Sequence, residues 1–121
     1  MVKLLFDTNI LIDYLNGIEQ AKAELAMPTN KAISLLTWME VMAHATPETE
    51  DVMRGFLRDF VSLPVNDDVA NLAVKLRRVH KIQFPDAIIW ATAQVDSRIF
   101  VTRNTKDFDG AAPGIRVPYK F

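Results

Sequence analysis

Residues 2–6, Val-Lys-Leu-Leu-Phe, form a short, mostly apolar run that ends abruptly in an acid, Asp7. Such a run followed by turn chemistry predicts a buried strand. The next apolar series, Ile10, Leu11, Ile12, Tyr14 and Leu15, predicts a helix that stops at Gly17. Residues 19–27 predict a second helix with Ala21, Leu25 and Ala26 facing inward, closed by Pro28-Thr29-Asn30. A second strand is expected over 32–36, and Thr37 opens a third helix running to Ala43. Thr46-Pro47-Glu48 predicts an N-cap with proline at the first helical position. That helix is expected to reach about Asp59, with Val52, Phe56 and Leu57 on one face. Residues 60–65 predict a strand, and Asn66-Asp67-Asp68 caps a helix that carries Val69, Leu72, Ala73, Leu76 and Val79. Phe84-Pro85-Asp86 opens the next helix, which is apolar almost all round from Ala87 to Ala93 and is expected in the middle of the fold. Residues 98–102 predict a strand, 104–107 a short turn, and 115–117 an edge strand that Pro118 ends. Strands alternating with helices predict an α/β fold: a small central parallel sheet of about five strands with helices on both faces.

Half of the 121 residues are hydrophobic, which suits a single domain over 1–121 with a real core. A net charge of −1 means that any nucleic-acid contact has to come from a local patch. The absence of cysteine excludes disulfides and cysteine-ligated zinc or iron–sulfur centres, and is compatible with a cytoplasmic protein. His44 and His80 stand far apart and form no metal-ligand pair. No apolar run approaches the ~20 residues of a membrane span, and no signal-peptide layout is visible.

Four acids attract attention, although each has an ordinary structural explanation. Asp7 can cap the first helix. Thr37-x-x-Glu40 fits a capping box. Asp86 lies in a first helical turn, where the helix dipole favours a carboxylate. Asn104-x-x-Asp107 fits a weaker capping pattern. Their topology is less ordinary. Asp7, Glu40 and Asp107 each follow a strand, at the carboxyl edge of the predicted sheet, where open α/β sheets bind ligands. Asp86 starts a helix that feeds a parallel strand, so it lies at the same edge. Glu40 and Asp86 also sit in apolar surroundings, where clustered carboxylates repel and lose solvation. A divalent cation removes that cost, and all-oxygen donors favour Mg²⁺ or Mn²⁺ over zinc.

A carboxylate-bound Mg²⁺ suits phosphoryl chemistry. Arg103 and Lys106 flank the last acid, and Lys75, Arg77, Arg78, His80 and Lys81 cluster just ahead of Asp86. Both are candidates to hold a phosphodiester backbone, the second having the ordinary alternative of a solvated face with cations near a helix C-terminus. No aromatic interleaves the second cluster, which argues against base stacking there.

The chain resembles PIN-domain ribonucleases, specifically the VapC-type toxins of bacterial and archaeal toxin–antitoxin pairs. The resemblance rests on Phe6-Asp7-Thr8-Asn9-Ile10-Leu11-Ile12-Asp13, Thr37-Trp38-Met39-Glu40-Val41-Met42, Pro85-Asp86-Ala87-Ile88-Ile89-Trp90-Ala91-Thr92-Ala93 and Val101-Thr102-Arg103-Asn104-Thr105-Lys106-Asp107-Phe108, in that order. It implies a PIN fold and Mg²⁺- or Mn²⁺-dependent endonucleolytic cleavage of RNA, with Asp7, Glu40 and Asp86 as core acids. Asp7 and Asp86 are then the surest metal ligands. Asp107 is the expected fourth acid, and Thr8, Asn9, Thr102, Arg103, Asn104 and Arg77 are expected on the substrate side. A homodimer and a protein antitoxin that blocks the site are also implied. Part of the set Met27, Trp38, Met39 and Met42 is expected to line a groove for an amphipathic antitoxin segment.

Two departures from the family pattern bear on this. The fourth acid is often found just beyond the strand-ending Thr102, where this chain has Asn104 two residues on, so either Asp107 or Asn104 completes the set. Ala43-His44-Ala45 replaces a stretch that often holds glycine, which alters packing more than chemistry. Asn9 stands where a phosphatase of similar fold needs a second Asp, and the acidic pair of a receiver domain is missing. A housekeeping RNA-processing nuclease and an inactive RNA- or protein-binding PIN module remain as alternative readings.

Overall fold

The computed structural model describes residues 1–121. Five strands, β1 (Lys3–Phe6), β2 (Asn30–Ser34), β3 (Val61–Leu63), β4 (Ile99–Val101) and β5 (Ile115–Arg116), form one sheet in the order β3-β2-β1-β4-β5. Every neighbouring pair is parallel. Six helices connect them: α1 (Thr8–Leu15), α2 (Glu19–Ala26), α3 (Leu35–Met42), α4 (Glu50–Leu57), α5 (Asp67–His80) and α6 (Phe84–Val95). This is the α/β architecture that the alternation of patterns predicts.

Strand alternation divides the core into two layers. Leu5 and Phe100 point to one face, against Val69, Ala73 and Leu76 of α5 and Ala87 and Ile89 of α6. Leu4, Phe6, Ile33 and Val101 point to the other, against Ile10 and Leu11 of α1, Val41 of α3 and Leu57 of α4. β1 is the central strand, and its Leu4, Leu5 and Phe6 are buried. The chain leaves β1 toward β2 on one side and later returns to β4 on the other. The strand order therefore reverses at the carboxyl ends of β1 and β4, which opens a crevice there. Asp7 stands at that point.

Several boundaries differ from the sequence expectation, for local reasons. β2 starts at Asn30 and stops at Ser34, opposite Leu63, because β3 offers no partner further on. The Ser34 hydroxyl accepts from Leu36 N at 3.1 Å and caps α3 three residues before Thr37. The predicted capping box of Thr37 and Glu40 therefore does not form, since Thr37 is already inside the helix and buried. α4 starts at Glu50, later than Thr46-Pro47-Glu48 predicts. That segment is instead a turn, closed by Thr46 N donating to Thr49 Oγ1 at 2.9 Å. β3 is shorter than 60–65, as expected of a sheet edge that pairs on one side only. α6 packs along α5, and from Ala87 to Ala93 every residue is buried or half-buried, as the apolar pattern predicts, while Phe84 ahead of that stretch is exposed.

Candidate active site at the carboxyl edge of the sheet

Asp7 leaves β1 and caps α1, its Oδ1 accepting from Thr8 N at 2.8 Å. Its Oδ2 accepts from the Thr102 hydroxyl at 2.8 Å and from Asn9 Nδ2 at 3.2 Å. Capping and site geometry are thus not alternatives, because one carboxylate does both. The group is only 4% exposed. Burial pushes its carboxyl up to about 7, helped by the charges of Asp86 and Glu40, while the hydrogen bonds from Thr102 and Thr8 oppose the rise.

Glu40 reaches the same region from α3. The Thr8 hydroxyl donates to Glu40 Oε1 at 2.6 Å and lies 3.0 Å from Thr37 Oγ1. Thr8 therefore links the first two acids through side chain and backbone. Asp86, in the first turn of α6, is half-buried. Burial raises its carboxyl above the ordinary range, and the Asp107 and Glu40 charges raise it further. Asp107 is exposed. Its Oδ2 accepts from Asn104 Nδ2 at 3.0 Å, and its N–H donates to Asn104 Oδ1 at 3.3 Å. Asn104 N in turn donates to Thr102 Oγ1 at 3.1 Å.

All four acids stand at one edge and feel one another's charge. No three acids close tightly enough in this arrangement to grip one ion. The donor chemistry still suits a hard divalent cation. The donors are carboxylates, neither histidine lies in the motifs, and two acids are held with raised pKa by burial and by each other. That is the condition a cation relieves.

The basic residues fall into two kinds. Arg103 follows Thr102, but its guanidinium is committed: Nη2 donates to Asp13 Oδ1 at 3.1 Å, and Nε donates to the other oxygen of the same carboxylate. The Tyr119 hydroxyl donates to Asp13 Oδ2 at 2.8 Å, and the Phe121 ring lies under the guanidinium. Asp13 is buried, and burial together with this carboxylate pushes the Tyr119 hydroxyl up. The function of Asp13 is invisible to motif spacing alone. Its one signal is an acid inside the otherwise apolar series of α1. Arg103, paired in this way, anchors the exit of β4 rather than offering a free charge to phosphate.

Arg77 behaves differently. Its Nη1 donates to Ile82 O at 2.9 Å, and its guanidinium lies 4.7 Å from the centroid of Phe84. The basic stretch contains no aromatic in sequence, yet the fold supplies one from the next helix. His44 is exposed and away from this network, and His80 packs against Trp90.

The profile of the PIN domain matches residues 4–112. Among solved structures, a chain of a toxin–antitoxin complex from Klebsiella pneumoniae is 48% identical, with a TM-score of 0.91, covering 98% of this chain and 99% of its own length. FitAcB from Neisseria gonorrhoeae matches at 24% identity and TM-score 0.77, over 95% of this chain and 97% of that one. DNA-bound VapBC from Salmonella typhimurium matches at 24% and 0.76, over 99% and 98%. These last two are likenesses of fold. Among curated proteins none matches at a significant level. By its profile, by its five-stranded parallel sheet and by the acids gathered at one edge of it, the chain belongs to the PIN domain family.

Proposed function

We propose that this protein is a Mg²⁺- or Mn²⁺-dependent endoribonuclease and the toxin of a toxin–antitoxin pair. The observation that carries the reading is Asp7: a buried carboxylate at the strand-order switch, raised to about 7 and coupled to Glu40 and Asp86. Asp7 and Asp86 are the primary metal holders in this reading, joined by Glu40 and, as the fourth acid, Asp107. When bound, the metal supplies a Lewis acid that activates water and stabilises charge on the leaving oxygen. The chain's own residues prepare that site. Thr102 and Asn9 fix the orientation of Asp7, and Thr8 fixes Glu40. Asn104 holds Asp107 in place, and Arg103 ties the end of β4 to Asp13. Phosphate contacts then fall to cations outside ion pairs, Arg77 and Lys106 among them.

The partner reading is supported by the 48%-identical chain, which comes from a toxin–antitoxin complex. Of the set Met27, Trp38, Met39 and Met42, Trp38 lines a hollow with Leu35, Leu57 and Phe60 and lies under Arg54, Met39 is exposed, and Met42 packs against the core. A better receptor for an amphipathic antitoxin segment is the hollow lined by Tyr14, Leu25, Ala26, Phe56 and Phe60. No helix is long and apolar enough to cross a membrane. A homodimer and a cytoplasmic location complete the proposal.

The purified protein is expected to cut RNA with Mn²⁺ and to stop with EDTA, and its expression alone is expected to slow growth until the neighbouring small protein is co-expressed. A folded protein that cuts no RNA with Mn²⁺ refutes the nuclease reading. Cleavage without toxicity in the native host leaves the housekeeping alternative.

The fourth ligand has its own test. Asn104→Ala is expected to cost mainly a cap, ~1 kcal/mol, because it removes the acceptor for Asp107 N. Asp107→Asn keeps that turn but is expected to weaken Mn²⁺ binding in a calorimetric titration. If only Asn104→Ala lowers Mn²⁺ affinity, the amide and not Asp107 completes the set.

A further inference from the structure

Six of the fourteen Lys and Arg residues form ion pairs. Of the remaining eight, four crowd into one place, the end of α5: Lys75, Arg77, Arg78 and Lys81. The chain reverses there. Lys81 takes a left-handed conformation (φ 57°), donates its N–H to Arg77 O at 2.8 Å, and lets α6 start beside the helix that has just ended. This turn lays Phe84 against Arg77. The guanidinium covers one side of the ring and is itself held by Ile82 O, so the ring is braced. Phe84 is nevertheless 44% exposed. Val74, Arg77, Arg78, Lys81, Gln83 and Phe84 line a groove of about 530 Å³, and no acid lines it. Phe84 is two residues from Asp86 at the same helix start, so the groove adjoins the acidic edge.

We propose that this groove is a nucleotide subsite of the nuclease. A base of single-stranded RNA stacks on the open side of Phe84, and the phosphates beside it pair with Arg78 and Lys81. The inference rests on the RNA-cleaving reading of the acidic site and adds where the strand is held. A braced aromatic bordered by free cations combines the two components of single-strand binding, a stacking platform and a charged track. It selects single strands, because in a duplex each base face is already covered by its neighbours. Four repelling carboxylates next to the groove also require compensating positive charge along any polyanion that crosses them.

The test uses a fluorescein-labelled single-stranded oligoribonucleotide of mixed sequence, with anisotropy read in EDTA so that nothing is cut. Phe84→Leu is expected to weaken binding ~10-fold, and Phe84→Trp to retain it. Replacing both Arg78 and Lys81 by Gln is expected to reduce the slope of log K against log salt by ~1.4. A blunt RNA duplex is expected to bind wild type and Phe84→Leu alike. Wild-type affinity for the single strand in Phe84→Leu overturns the subsite, as does an equal loss for single strand and duplex. If these variants lose the co-expressed antitoxin but not RNA, the patch is a protein interface and the subsite is overturned. Cleavage with Mn²⁺, measured in parallel, separates the two claims. Intact single-strand binding that depends on Phe84, without cleavage by wild type, refutes the nuclease reading alone. Normal cleavage with Phe84→Leu binding unchanged refutes the subsite alone.

Discussion

Glu40→Gln is expected to lose RNA cleavage by at least ~100-fold while melting cooperatively near the wild-type temperature. The substitution removes a charge and little else. Gln retains an oxygen where Glu40 Oε1 accepts the Thr8 hydroxyl, so the link between α1 and α3 survives. Helix capping is untouched, since the cap of α3 is Ser34. What disappears is one of the charges that raise the Asp7 and Asp86 carboxyls, and with it part of the attraction for a divalent cation. The measurement is a cleavage time course with Mn²⁺ beside a melting curve by circular dichroism. Full cleavage by the folded variant removes Glu40 from the site. Loss of cleavage together with loss of the melting transition shows that Glu40 matters for folding instead.

Asp7→Asn is expected to raise the melting temperature in EDTA at pH 8 and to lower it relative to wild type once Mn²⁺ is added. Asp7 is buried with its carboxyl at about 7, against 3.8 for an unhindered aspartate. Between those two values the folded chain holds a proton that the unfolded chain has released. Its contribution to stability is therefore lost as pH rises from about 4 to about 7 and stays lost above, a total of roughly 4 kcal/mol. Asn carries no charge and escapes this penalty. Its amide meets the Asn9 Nδ2 donor on the Oδ2 side, which returns part of the gain. A net stabilisation of ~2–3 kcal/mol, or about 8–12 °C, is expected. Wild type should also melt lower at pH 8 than at pH 5 by more than the variant does. With Mn²⁺ at a thousandfold excess over Kd the order reverses, because wild type gains RT ln(1 + [L]/Kd), about 4.1 kcal/mol, while the weakened site of the variant gains less. A loss of stability in Asp7→Asn that is equal with EDTA and with Mn²⁺ identifies Asp7 as a cap only.

The two predictions depend on different levels of the molecule. The element order and the α/β class follow from local periodicity, since an apolar run and a helical stripe are each visible within a dozen residues. The placement of Asp7, Glu40, Asp86 and Asp107 at one edge follows too, because strands joined through helices in a parallel sheet all point the same way. Element ends do not follow from local pattern, because pairing partners decide them. β2 stops where β3 ends, and Ser34 takes the cap that Thr37 was expected to supply.

The chemistry of the site, by contrast, comes from contacts between residues far apart in the chain. Thr102 meets Asp7 only because β4 lies beside β1, and the sheet order is not written in either segment. Arg103 looks like a free cation in sequence and is paired with Asp13 in the fold. Phe84 is separated from the basic run in the chain but packs on Arg77 across the left-handed turn at Lys81. The pKa of Asp7 likewise depends on how completely two core layers close around the end of β1. By itself the sequence determined which residues were available and to which edge they went. Capping and periodicity act over about one helical turn, so they suffice for that much. Which hydrogen bonds, charges and ring faces remained free was decided only by the tertiary structure, because desolvation and pairing depend on neighbours that the chain brings together across the sheet.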